Sequence, residues 1–156
     1  MNARVDLMKV GAGALEILVG LENLLKKSTL DEQLRHLVKL RSSQINGCLY
    51  CCDMHTREAR LSGVPERKIA QLPAFDESSL YNEREKAALA WAESLVHIDQ
   101  THAPDAAWER VRRFFDEQQA ADLTLLCATI NLWNRLAIGT RAQPPATWPK
   151  LPVTPS

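Results

Sequence analysis

The sequence predicts an all-α protein, a single-domain helical bundle of six to seven helices, and three observations carry that expectation. Apolar residues recur at three- and four-residue spacing along most of the chain, which gathers them on one face of a helix. No run of β-branched residues alternates with polar ones as a half-buried strand requires. Capping residues and glycines punctuate the chain at helix-length intervals.

Taken in order, residues 10–25 read as a first helix whose Gly11, Gly13 and Gly20 suit close packing against neighbours. Thr29 with Glu32 has the pattern of a capping box, opening a helix with Leu30, Leu34, Leu37, Val38 and Ile45 on its apolar face. Asn46-Gly47 stops it. A new helix is expected to start near Cys48 and run through Ala59 to Ser62, with Gly63 terminating it. Pro65 opens a short segment that ends before Pro73, and residues 74–81 form a loop. Asn82 and Glu85 cap the next helix, which carries Ala87, Ala88, Leu89, Trp91, Ala92, Leu95 and Val96. Pro104 begins another, with Trp108, Val111, Phe114 and Phe115 as its apolar face. The last helix, 117–140, is apolar around much of its circumference, which places it centrally or at a subunit contact. Residues 143–156 hold five prolines and read as an extended tail, so the domain is assigned to 1–142 and the tail to 143–156.

Length and charge bound the function. A chain of 156 residues, 46% hydrophobic, suffices for one core and gives no reason to expect a second domain. Nineteen basic and nineteen acidic side chains cancel without a like-charge block, which argues against nucleic acid as a partner. Charges at Arg4, Asp6 and Lys9 interrupt the N-terminus, and no apolar run is long enough for a membrane span, so a cytoplasmic, non-membrane protein is expected. In the cytosol four cysteines would stay reduced, and a closely spaced pair there is more often catalytic or metal-binding than structural.

The closely spaced pair lies in Cys48-Leu49-Tyr50-Cys51-Cys52-Asp53-Met54-His55. On a helix Cys51 and His55 share a face at i and i+4, while Cys48 sits at the first turn, where unpaired backbone N–H groups favour negative charge. Such surroundings lower a thiol pKa from its usual value of about 8.5, and the expected chemistry is that of a redox dithiol. An all-helical context separates it from the thioredoxin fold, which places C-x-x-C after a strand. A rival reading assigns Cys48, Cys51, His55 and His36 to a zinc ion; against it, His55 continues the same helix as Cys51, whereas zinc ligands usually come from separate elements. A third reading is a redox-inert helical module for assembly. Cys52 and Cys127 read as small apolar packing residues, and Tyr50 either lines a substrate entrance or is an exposed spacer. Asn131, Trp133, Asn134 and Arg135 read as a polar network that fixes helix packing.

Two stretches carry a family resemblance. Residues 40–48, Leu-Arg-Ser-Ser-Gln-Ile-Asn-Gly-Cys, run into Cys51-Cys52-Asp53-Met54-His55-Thr56, and a second block spans residues 128–136, Ala-Thr-Ile-Asn-Leu-Trp-Asn-Arg-Leu. Together they resemble the alkyl hydroperoxidase D-like (AhpD-like) proteins of the carboxymuconolactone decarboxylase superfamily, over residues 10–142. The resemblance implies a thiol-dependent peroxidase or disulfide oxidoreductase in antioxidant defence, acting on organic hydroperoxides or hydrogen peroxide. It makes Cys51 the attacking thiolate, Cys48 the resolving cysteine and His55 the proton relay. It implies no metal or other cofactor, a lipoylated or thioredoxin-like protein as reductant, and a trimer or hexamer. The decarboxylase activity that names the superfamily is disfavoured, since it does not require the cysteine pair. One position departs from the pattern: the relay glutamate of the family falls on His36, which cannot orient His55 as a carboxylate does. Glu32, one turn earlier, is the candidate substitute, and replacing His36 by Glu is expected to raise the rate.

Overall fold

The computed structural model describes residues 2–148, and among them no strand occurs. The chain forms α1 (Leu7–Val10), α2 (Ala12–Lys26), α3 (Glu32–Asn46), α4 (Leu49–Leu61) and α5 (Glu66–Ala70). After a 3-10 turn at Leu72–Ala74 come α6 (Glu83–Val96), α7 (Ile98–Thr101), α8 (Asp105–Arg112) and α9 (Glu117–Thr140). The six helices of eight residues or more, α2, α3, α4, α6, α8 and α9, are those expected; α1, α5 and α7 are pieces of four or five residues. No helix among the described residues is long and apolar enough to cross a membrane. Residues 142–148 carry no helix, and the rest of the expected Pro-rich tail, 149–156, lies outside the described residues.

Local chemistry accounts for most boundaries. Asn82 and Glu85 form the expected reciprocal cap on α6, and Asp116 with Gln119 forms a second on α9. The cap of α3 is different from the expected one: Asp31, not Thr29, accepts the backbone N–H of Leu34, at 2.9 Å. An ionised carboxylate two residues nearer the helix matches the positive end of the helix dipole better than a threonine hydroxyl. Glu32 is thereby released from the capping box. Gly47 closes α3 at φ +69°, a left-handed conformation that costs a side-chain-bearing residue about 1–2 kcal/mol. That turn sends the chain straight into α4.

The core is built around α3, which packs chiefly on α4, α6 and α9. Leu34, Leu37, Val38 and Leu40 of α3 meet Ala88, Leu89 and Ala92 of α6 and Leu123, Leu126 and Cys127 of α9. Burying each such leucine contributes about 1.5–3 kcal/mol. One face of α9 is central, as expected, while Leu125, Leu132 and Ile138 on the remainder stay exposed. The expectation for the first helix needs correction. Of α2 only Leu15 and Leu25 are buried, Ile17 is 75% exposed, and a Cβ added at Gly13 or Gly20 would meet nothing within 4 Å beyond the helix's own backbone. Gly13 and Gly20 therefore serve no close packing among the described residues, whereas a Cβ at Gly11 would crowd the Leu7 carbonyl oxygen of α1; α2 rests on α9 along one stripe and leaves much of the rest of its surface outward.

Candidate active site

The left-handed turn at Gly47 makes Cys48 the N-cap of α4 rather than a residue of its first turn, with extended φ and ψ of −82° and 100°. An N-cap side chain accepts the helix's unpaired amides, and here the acceptor is sulfur: the Cys51 N–H points at Cys48 Sγ over 3.4 Å. The Cys51 thiol hydrogen-bonds to the same sulfur, and the Cys51 amide, the Asn134 side chain and the Tyr50 amide add to it, so the Cys48 pKa is lowered to about 7 against opposing burial. The Cys51 thiol is pushed the other way by its hydrogen bond to Cys48, by burial and by the Cys48 charge. Above about pH 7 the negative charge of the pair is favoured on Cys48, while Cys51 is held toward its protonated form. All four cysteines are free thiols, and Cys48 and Cys51 are both buried.

This asymmetry has a measurable consequence. In the reduced protein the thiolate absorbance is expected to rise through about pH 7, below the range of an ordinary thiol, and Cys48→Ser should remove that step. A first rise only above pH 8.5 would contradict the assignment. Because folding lowers this pKa, the ionised Cys48 stabilises the fold fully above the ordinary value, and the contribution disappears as pH falls through 7.

His55, one turn beyond Cys51, is buried, which pushes its pKa down and keeps the ring neutral. Its Nδ1 lies 2.8 Å from Glu58 Oε2. Burial works against the charge on Glu58, but the His36 and His55 rings outweigh it and hold the carboxyl well below the usual carboxylate range. An ionised carboxylate beside a neutral imidazole assigns the hydrogen to Nδ1, with His55 as donor. Nε2 is left with its lone pair. The imidazole–carboxylate pair thus shares the cavity-facing side of α4 with the Cys51 thiol, one turn away.

Glu58 is a candidate site residue that sequence reasoning missed, although a His-x-x-Glu pair one turn apart on α4 was the available signal. His36 Nδ1 approaches the same Oε2 at 3.5 Å. Glu32, proposed from the sequence as the substitute relay, is 66% exposed at its side chain and reaches His36 Nε2 at 3.7 Å; the carboxylate that meets His55 is that of Glu58. The zinc set expected as a rival is not assembled either. Among the described residues the metal-ligating atoms that gather are those of His36, His55 and Glu58, without the thiols.

Asn134, wholly buried, ties α9 to the site: its Nδ2 donates to Ser43 Oγ at 3.0 Å and its Oδ1 accepts from Asn46 Nδ2 at 2.9 Å. Asn46 also donates to Asn131 Oδ1, and Arg135 donates to that oxygen and to the Asn131 carbonyl. The network of Asn131, Asn134 and Arg135 ties helices together, as read from the sequence, and in addition delivers an amide to both sulfurs; Trp133, read as part of it, lies on the wall of the adjoining cavity instead. Cys127 is core, and Cys52 is half-buried with its pKa pushed up to about 11 by burial.

A cavity of about 830 Å³ adjoins these groups. Cys51, His55, Glu58 and His36 lie on its wall with apolar Leu15, Val19, Met54, Leu126, Trp133 and Leu136. Tyr50 lines it too, edge-on to Trp148 at 5.3 Å, and the Trp148 indole N–H donates to Asp53 Oδ2 at 2.5 Å. Tyr50 is therefore a wall residue and not a free spacer.

Comparison with known proteins gives concordant results. The sequence profile of the carboxymuconolactone decarboxylase family matches residues 13–94. The uncharacterized protein YdfG of Bacillus subtilis (strain 168) is 40% identical over 144 residues, spanning 91% of this chain and 98% of that one. The crystal structure of ATU0492 from Agrobacterium tumefaciens, a protein of unknown function described as a candidate antioxidant defence protein AhpD, superposes with a TM-score of 0.90 at 38% identity, covering 94% of this chain and 100% of that one. The debrominase Bmp8 shares the fold, with a TM-score of 0.77 at 22% identity over 89% of this chain and 75% of its own.

Proposed function

The chain belongs to the carboxymuconolactone decarboxylase family, as an AhpD-like member, and on that premise we propose that it is a peroxidase that reduces organic hydroperoxides through a Cys48–Cys51 dithiol–disulfide cycle. The observation that carries this reading is the joint placement of the Cys51 thiol and the neutral His55 on the wall of one largely apolar cavity, with Cys48 within hydrogen-bonding distance of Cys51.

His55 Nε2 takes the Cys51 proton, and Glu58 holds the ring in the tautomer that allows it. The Cys51 thiolate attacks the terminal peroxide oxygen: an S–O bond forms, the O–O bond breaks, and the alkoxide leaves with the proton from His55 as an alcohol. Cys51 is then a sulfenic acid. The Cys48 thiolate attacks that sulfur, expels hydroxide, which is protonated to water, and closes the disulfide. A dithiol reductant returns both thiols by exchange; a lipoylated or thioredoxin-like protein has the required chemistry. The ionised Cys48 is suited to this second step, because the resolving sulfur needs no base.

Titration of the reduced protein with one equivalent of an alkyl hydroperoxide tests the cycle. Two of the four thiols are expected to disappear, with the disulfide located between Cys48 and Cys51 by peptide mapping. Retention of all four would end the proposal.

A further inference from the structure

His36, on α3, and His55 and Glu58, on α4, bring three ligand atoms within 4.8 Å of one another. Glu58 Oε2 lies 2.8 Å from His55 Nδ1 and 3.5 Å from His36 Nδ1. Tetrahedral zinc, with bonds of about 2.0–2.1 Å, sets its ligand atoms about 3.3 Å apart, a spacing that falls between these two. The hydrogen-bonding account of the cluster is also incomplete. His36 Nδ1 is buried without a hydrogen-bond partner, so the trio as a purely protein network leaves one ring nitrogen unsatisfied. A cation between the three groups would engage that nitrogen.

We propose that His36, His55 and Glu58 form a binding site for a zinc-class divalent cation, with a fourth coordination position open to the cavity. Two imidazoles and one carboxylate are borderline donors that favour zinc, cobalt or iron over magnesium or calcium, which prefer all-oxygen shells. All three residues lie on the cavity wall, and the His36 side chain is 17% exposed, which gives an ion a way in. The outer shell is present as well: Glu32 stands 3.7 Å from His36 Nε2, the nitrogen that would not bind the ion, and can orient that ring. Of the cations on the same cavity wall, Lys39 has its ammonium paired with Glu22, and Arg35 donates to the Leu25 and Lys26 carbonyls. The site differs from the Cys2His2 set suggested by sequence in ligands and in chemistry, since no thiolate takes part.

One consequence rests on the peroxidase reading above. An ion held by His55 and Glu58 removes the base that deprotonates Cys51, so zinc would act as a reversible inhibitor of hydroperoxide reduction.

The test separates binding from activity. Full-length protein carrying Cys48→Ser and Cys51→Ser, stripped with chelator, is titrated with Zn2+ by calorimetry and with Co2+ by absorption. One equivalent of each is expected to bind, and the cobalt spectrum should show ligand-field bands of a four-coordinate site without a thiolate charge-transfer band. Loss of an outer-shell partner costs a metal site about 10–100-fold, so His36→Ala or His36→Gln in that background should weaken binding more than 100-fold, with circular dichroism unchanged. No stoichiometric binding by the double-serine protein, or an affinity left unchanged by both His36 substitutions, would overturn the proposal. So would a thiolate band in wild-type protein coupled with loss of binding in the serine variant, since the ion would then sit on the cysteines. If Zn2+ binds the serine variant while the wild type proves to have no peroxidase activity, the metal site stands and only the catalytic reading falls.

Discussion

Replacing Cys51 by serine is expected to lower hydroperoxide consumption by at least about 1,000-fold, to the level of the uncatalysed reaction, because the attacking atom is lost. Cys48→Ser should behave differently. It keeps the cavity-facing thiol and its base, so the first equivalent of peroxide is still consumed, but the sulfenic acid on Cys51 has no partner and a protein dithiol no longer receives a disulfide. The two sulfurs therefore separate in a burst experiment: one turnover for Cys48→Ser, none for Cys51→Ser. The contrast matters because charge and access point to different atoms. The resting negative charge lies on Cys48, at the N-cap, whereas the sulfur on the cavity wall is that of Cys51. A burst from Cys51→Ser and none from Cys48→Ser would reverse the two roles and make the N-cap thiolate the attacking group.

Glu58→Gln is expected to lower kcat by about 100- to 10,000-fold, the range of a general base that has lost its orienting partner, while KM and the thiol count change little. Glutamine is of the same size but offers an amide whose nitrogen and oxygen are interchangeable toward His55, so the Nδ1–H tautomer is no longer enforced. Glu58→Asp, which keeps the charge on a shorter arm, should recover part of the loss; a role confined to packing would give no such recovery. The same geometry reverses an expectation from sequence. His36→Glu was expected to restore the relay and raise the rate, but the carboxylate is already supplied by Glu58, 3.5 Å from His36. A second carboxylate there would repel the first, so the rate should fall, and steady-state turnover of the variant decides between the two accounts.

Where sequence and structure part, the reason lies in distance along the chain. The helix 117–140 was legible from its long apolar repeat, and its capping box at Asp116 and Gln119, a signal equally local, was there to be read as well. The cap at Asp31 was displaced by two residues from Thr29, a choice between neighbouring side chains that depends on the backbone dihedral each adopts. The outward face of α2 was unreadable, since glycine content alone does not tell whether another helix covers it. Glu58 was readable in principle through its spacing from His55, but the departure at His36 drew attention to α3 and to Glu32 instead.

By itself the sequence determined what acts within one or two helical turns: the helical class, the N-terminal placement of Cys48, the i,i+4 relation of Cys51 to His55, and the family to which these belong. Tertiary structure decided what closes around them. It brought His36 of α3 to the carboxylate on α4 and carried the Asn134 amide from α9 to the two sulfurs. It also opened a cavity on the Cys51 side of the pair. Helical periodicity fixes which residues share a face, but which face meets which is set by the packing of the whole core, and the electrostatics of buried thiols and imidazoles follow from that packing.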